Sequence, residues 1–163
     1  MTHDWHFQHD AGRPFAETSA ELTARFPEHA ALIAAWGPRF LESIGAPIDG
    51  MPVLVDALEA AGMPLYAITN FSAEFWPAFR ARETAMFERF RGIVVSGDEK
   101  LVKPDAAIYR LALDRFGLDA ARTVFVDDNV ANVEGAAAVG MIALHFTGEA
   151  ALRRDLSALG LLD

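Results

Sequence analysis

Two adjacent carboxylates, Asp127 and Asp128, close the stretch TVFVDD. The residues before them, Thr123 to Val126, are apolar or β-branched, as in a strand buried on both faces. A helical pattern begins a few residues later. Carboxylates at the carboxyl end of a parallel strand lie where open α/β sheets bind ligands. Like charges a few ångströms apart repel, so the pair calls for a cation, a shared proton or ample water. A hard divalent ion such as Mg2+ suits, because it takes carboxylate oxygens together with waters and phosphate oxygens. The plain alternative is one Asp capping the next helix and its neighbour solvated.

Other polar residues upstream sit at comparable places. Thr69 and Asn70 end the apolar run Leu65 to Ile68. A hydroxyl there, beside the free N–H groups of a helix start, can cradle a phosphoryl group, or simply cap the helix. Lys103 precedes Pro104 and the helical pattern from Asp105. It could reach the strand ends and neutralise both a phosphoryl group and the Asp pair. Lys100 competes for that role, and a solvated surface lysine is the alternative for either. His3, His6 and His9 are spaced by three, which would gather imidazoles on one helical face for a transition metal. No cap or apolar periodicity supports a helix over residues 1–12, so polar surface is the expectation there.

The elements that must position these groups fall into two styles. Before Pro47 the pattern is helical: Phe15, Ser19, Leu22 and Phe26 recur at helical spacing after Pro14, and a second helix runs from Glu28 to Trp36. After it, strand and helix alternate. Strands are expected at 65–68, 93–96, 123–126 and 142–144. Helices are expected at 51–61, 72–79, 84–90, 105–116 (capped by Asp105 and closed by Gly117), 130–139 and 149–159. Such alternation implies a parallel sheet with helices on both faces, an α/β Rossmann-like fold.

Length and composition agree with one soluble globular unit: 163 residues, 52% apolar and 23% charged. Twenty-three acids against fourteen Lys plus Arg give a net charge of −9, which argues against nucleic acid or an anionic membrane as partner. An anionic small substrate stays compatible, because one metal ion can reverse the sign locally. No cysteine is present, so there is no disulfide, thiolate zinc site or Cys nucleophile. With no signal-peptide pattern and no apolar run of roughly 18 residues, the expectation is a cytoplasmic protein.

The order strand-Thr-Asn, Lys-Pro-helix, strand-Asp-Asp resembles the haloacid dehalogenase (HAD) superfamily of hydrolases. AITNFS (Ala67 to Ser72) looks like its second motif, SGDEKLVKPDAAIY (Ser96 to Tyr109) its third, and VFVDDNVANVEGA (Val124 to Ala136) its fourth. The resemblance implies that Thr69 binds phosphate with Asn70 beside it in the substrate site, that Lys103 is the motif lysine, and that Asp127 and Asp128 hold Mg2+. Asn132 stands where many members carry a further acid. The implied activity is phosphate-ester hydrolysis of a small phosphorylated or otherwise anionic substrate, with dehalogenation the lesser branch. Residues 1–49 resemble part of a helical cap, and residues 50–163 the α/β core.

The family's first motif, a strand ending in the nucleophilic Asp, has no counterpart before the cap, and by analogy that strand is the central one. The resemblance then implies an inactive chain on its own, and one of three outcomes. Its neighbours pair directly, another chain or a second copy fills the gap, or the sequence is a truncated form. A non-catalytic domain binding phosphorylated ligands or a partner is the alternative function. A structural domain with coincidental motifs is a third reading.

Overall fold

Short helices build the N-terminal third of the computed structural model, which describes residues 2–162. They are α1 (Thr2–Asp10), α2 (Phe15–Arg25) and α3 (Ala30–Trp36), with single 3-10 turns at Pro27–His29 and Phe40–Ser43. The first of these corrects the expectation of polar surface over residues 1–12. Trp5 and His9 are buried, at 6% and 2% exposure. The Trp5 ring packs 5.1 Å from Trp36 and 5.8 Å from Phe15, centroid to centroid. His9 Nε2 lies 2.6 Å from Thr18 Oγ1, and the Ser96 hydroxyl donates to the Asp10 carbonyl at 2.6 Å. A helix this short is marginal alone, so these tertiary contacts hold it. The His3 side chain lies outside what is described. His6 and His9 are absorbed into the ring cluster, and no metal-holding group of three His, Cys, Asp or Glu gathers among the described residues.

Alternation then begins. α4 (Met51–Ala60) carries Pro52 in its first turn and leads to β1 (Leu65–Thr69). Next come α5 (Trp76–Arg82), α6 (Thr84–Phe87), β2 (Phe90–Val95), α7 (Ser96–Glu99) and α8 (Ala106–Phe116). β3 (Val124–Asp127), α9 (Val130–Ala138), β4 (Ile142–His145) and α10 (Glu149–Ala158) complete the chain. Several boundaries move from the sequence expectation, two of them at element starts after Gly62. α5 starts at Trp76 instead of Ser72, and β2 takes Phe90, which had been read as helix. Pairing explains the second, since Phe90 and Gly92 stand opposite Leu65 and Tyr66 of β1; at Gly92 a Cβ would lie 2.3 Å from the Phe116 ring, so glycine also lets α8 sit against this strand. Asp105 occupies the position before α8 without a side-chain cap, whereas Gly117 closes that helix at φ 64°.

β1 pairs with β2 and β3 with β4, both in parallel, Thr69 opposite Val95 and Asp127 opposite His145. β1 and β3 do not pair with each other. Between them opens a groove of about 640 Å³ lined by both strands. Of the three outcomes named for this gap, direct pairing of its neighbours is therefore not met, and no strand of the described residues lies in it. This also explains why β1 is half-buried along its whole length where a fully buried strand was expected.

Helices cover both faces, giving an α/β fold. On one face Ile108, Tyr109, Ala112 and Leu113 of α8 meet Val94, Phe125 and Ala136. On the other, Leu54 of α4 and Leu152 and Leu156 of α10 meet Val124 and Val126. Gly135 lets α9 approach the start of α8, since a Cβ there would stand 2.5 Å from the Pro104 carbonyl oxygen. No helix of the described residues is long and apolar enough to cross a membrane.

Two expectations follow from this packing. Gly135→Ala should lower stability by about 2 kcal/mol through overpacking, whereas Gly45→Ala, which meets nothing within 4 Å, should stay within about 0.5 kcal/mol of the parent; urea unfolding compares them. His9 supplies the second. Burial, then the His6 charge, lowers its pKa to about 4, and its Nδ1 is buried without a partner that a new N–H could use. The unfolded chain takes up this proton near pH 6.5, the folded chain only near pH 4. Stability present above pH 6.5 is thus lost as pH falls toward 4, by on the order of 2 kcal/mol. His9→Gln should lose that much less than the parent between pH 7 and pH 4.5.

Candidate functional site

The carboxyl ends of β1 and β3 are brought together by one buried ion pair. Lys103 Nζ donates to Asp127 Oδ2 at 2.6 Å, with the two side chains 11% and 7% exposed. The other Asp127 oxygen accepts from the Asn129 N–H and the Asn132 Nδ2, each at 2.9 Å. Burial alone would raise the Asp127 carboxyl, but the Lys103 ammonium, then the Asn129 N–H and the Asn132 amide, outweigh it and hold the group below the usual carboxylate range. Lys103 Nζ also stands 5.7 Å from the centre of the Phe125 ring.

Each partner of the pair is itself held. Asn70 grips the Lys103 backbone at two points: its Oδ1 accepts from the Lys103 N–H at 2.8 Å, and its Nδ2 donates to the Lys103 carbonyl at 2.9 Å. Asn132 is buried, and its backbone carbonyl accepts from the Tyr109 hydroxyl at 2.8 Å. Burial, then the nearby Asp127 charge, pushes the Tyr109 phenol up to about 12, so it stays a donor. The Asn129 side chain accepts from the Ala131 N–H and caps α9, the task the sequence had offered to an Asp.

Two groups on the same edge remain open. The Asp128 carboxylate is exposed and has no side-chain partner among the described residues, although its backbone carbonyl meets His145 Nε2 at 3.0 Å. The Thr69 hydroxyl likewise makes no hydrogen bond among the described residues. Lys100, the competitor of Lys103, instead runs past Gly12 in left-handed backbone, at φ 55°. Thr69, Asn70, Lys103 and Asp127 thus converge, with Asp128 beside them facing solvent. Sequence reasoning missed Tyr109 and the amide of Asn132 as holders of Asp127. The signal for Asn132 was its position in the first turns of the helix that follows the Asp pair, where a side chain can turn back to the strand end.

A hard divalent cation fits this edge as a partial donor set. Asp128 offers a free carboxylate, and Asp127 keeps one of its roughly four lone-pair directions. Mg2+ needs no more from protein than one or two carboxylates, the rest coming from water and phosphate oxygens.

Residues 4–140 match the family model of haloacid dehalogenase-like hydrolases. A sesquiterpene phosphatase of Aspergillus oryzae is 37% identical over 111 residues, 67% of this chain and 55% of that protein. A phosphoglycolate phosphatase of Xylella fastidiosa is 33% identical over 132 residues, 74% of this chain and 56% of that one. The chain therefore spans about half the length of these curated relatives. A HAD-family enzyme of Bacteroides thetaiotaomicron, crystallised with magnesium and inorganic phosphate, shares the fold at a TM-score of 0.67 and 19% identity, over 86% of this chain and 74% of its own. With the three motifs gathered at the carboxyl ends of β1 and β3 and the family match running through all of them, the chain belongs to the haloacid dehalogenase-like hydrolases.

Proposed function

We propose that residues 50–163 form the phosphate-handling core of a Mg2+-dependent phosphate-ester hydrolase, with residues 1–49 as part of a helical cap beside it. The observation that carries this reading is the division of labour within the Asp pair. Asp127 is spent on Lys103 and Asn132, while Asp128 and Thr69 stay open on the same edge. Relatives that are phosphatases support the reaction class over dehalogenation.

In this reading Asp128, with the remaining lone pair of Asp127, would hold Mg2+, which when bound neutralises phosphoryl oxygens. The Thr69 hydroxyl donates to a phosphoryl oxygen. Lys103 has three N–H donors and uses one on Asp127, leaving two to meet developing negative charge. Asn70 serves the substrate indirectly, by fixing the Lys103 backbone. The substrate is a small phosphorylated molecule. At a net charge of −9 the chain repels anions at long range, so local cations must draw the phosphate in.

One observation favours a second reading, a domain that binds phosphorylated ligands without turnover. Asp127, the buried strand-end carboxylate, accepts from three donors and is not free to attack phosphorus. Thermal melting with MgCl2 and inorganic phosphate, alongside hydrolysis of p-nitrophenyl phosphate, separates the two. A raised melting temperature with turnover supports the hydrolase. A raised melting temperature without turnover supports binding alone. No shift and no turnover overturns both.

Asp128→Asn should abolish the Mg2+-induced rise in melting temperature, because only binding to the folded state produces it, and should leave metal-free stability within about 0.5 kcal/mol. An unchanged Mg2+ response removes Asp128 from the metal site. Thr69→Val should weaken phosphate binding by about tenfold, the loss of one hydrogen bond to a charged group, measured by calorimetric titration in saturating Mg2+.

A further inference from the structure

Behind Thr69 a segment of the N-terminal helices, the turn after β2 and the loop after β1 meet backbone to backbone. Gly12, at φ 88°, packs on the turn, where a Cβ would stand 2.8 Å from the Gly97 carbonyl oxygen. Gly97 packs in turn on the loop, where a Cβ would stand 2.4 Å from the Ala73 nitrogen and 2.8 Å from the Phe71 carbonyl oxygen. Any side chain at either glycine would push these segments apart.

One hydroxyl joins all three. Ser96 follows β2 directly and is 0% exposed. Its Oγ donates to the Asp10 carbonyl at 2.6 Å and accepts from the Phe71 N–H at 2.9 Å. The Phe71 carbonyl accepts from the Gly97 N–H at 3.1 Å, so both backbone polar groups of Phe71 are held. A buried hydroxyl that gives its proton to one segment and a lone pair to another is a cross-link, since no water reaches it to replace either bond.

This cross-link lies two residues from the open hydroxyl of the phosphate site. Thr69 is paired opposite Val95, Asn70 is clamped to the Lys103 backbone, and Phe71 is held by Ser96. The first two of these ties belong to the α/β core. The third reaches α1.

We propose, resting on the reading of Thr69 as a phosphate donor, that Ser96 is a positioning residue through which α1 sets the loop that carries Thr69. Aromatic packing brings the same loop to the N-terminal third, with the Phe40 ring 5.3 Å from Phe71 and stacked on Phe75 at 4.7 Å. Apolar contact of that kind is non-directional and holds the loop close without fixing its orientation. The hydroxyl supplies direction, because a hydrogen bond weakens steeply off its axis. Without it, the Asp10 carbonyl and the Phe71 N–H would each lose a buried partner, and the loop would have to shift to regain one.

The test is a double-mutant cycle of Ser96→Ala and Thr69→Val, read by calorimetric titration of inorganic phosphate in saturating MgCl2. Ser96→Ala should weaken phosphate binding by at least about threefold in the parent but by less than about twofold in the Thr69→Val background, because it acts through Thr69. Equal losses in both backgrounds would overturn the proposal. Amide exchange without phosphate follows the link to α1. In Ser96→Ala, exchange at Phe71, and at Ala11 and Gly12 at the end of α1, should quicken at least about tenfold more than at Ala112 and Leu113 of α8. Uniform quickening would overturn the proposal and leave Ser96 with a general packing role. Ser96→Cys nearly keeps the volume with a weaker donor and acceptor, and it enters the same cycle if the alanine variant does not fold. A parent that binds no phosphate overturns the reading of the site and this inference with it. A parent that binds phosphate no more tightly than Ser96→Ala overturns this inference alone.

Discussion

Lys103 and Asp127 meet at 2.6 Å with little water around either, so each charge depends on the other being in place. The attraction across a low-dielectric contact is large, but so is the cost of stripping two ions of water, and the net effect of such a pair on stability is small. Its consequence is positional. Asp127 ends β3, and the Lys103 backbone is clamped by Asn70, which follows β1. Because β1 and β3 exchange no backbone bonds, the chain Asn70–Lys103–Asp127 is the polar link across the carboxyl end of the groove. Asn132 and, behind it, Tyr109 keep Asp127 turned toward this link, and so leave the neighbouring Asp128 as the open carboxylate.

Much of this edge was legible because the chemistry is local in sequence. An apolar run that stops at Thr69-Asn70, or at Asp127-Asp128, announces both a strand and its polar carboxyl end. Gly117 marks the end of α8 through a left-handed residue, and that backbone preference is a property of the residue itself. The Asp105 cap failed for the opposite reason. A cap is a hydrogen bond and not a residue type, and at α9 the same role goes to Asn129. α1 was illegible because the contacts that bury it lie outside its own sequence. Trp5 and His9 are fixed by Trp36, Phe15 and Thr18, all beyond the helix. β2 began earlier than its apolar run because Phe90 and Gly92 are paired to β1, a contact across the sheet that no local window contains.

The residues that hold the site were harder to see than those that form it. Asn132 is recognisable as a polar residue near the start of α9, but the direction of its amide depends on where α9 docks. That docking depends on Gly135 meeting the Pro104 carbonyl, a contact 31 residues distant in sequence. Tyr109 looks like any aromatic on the buried stripe of α8, and only the fold shows its hydroxyl reaching Asn132. Lys100 competed with Lys103 for one role, although Lys103 had the place before Pro104 and the helix in its favour. The loop conformation separates them, sending one to Asp127 and the other along Gly12.

The open groove and the open polar groups are consequences of one arrangement. Thr69 ends β1 and Asp127 ends β3, with Asp128 one residue beyond, so the distance from the open hydroxyl to the open carboxylate is set by two strands that do not pair. The side-chain link through Lys103 sets that distance at the carboxyl edge, but a lysine stem is a compliant tether compared with a backbone ladder. α8 packs on both half-sheets at once, meeting Val94 of β2 and Phe125 of β3, and so holds them in a common frame.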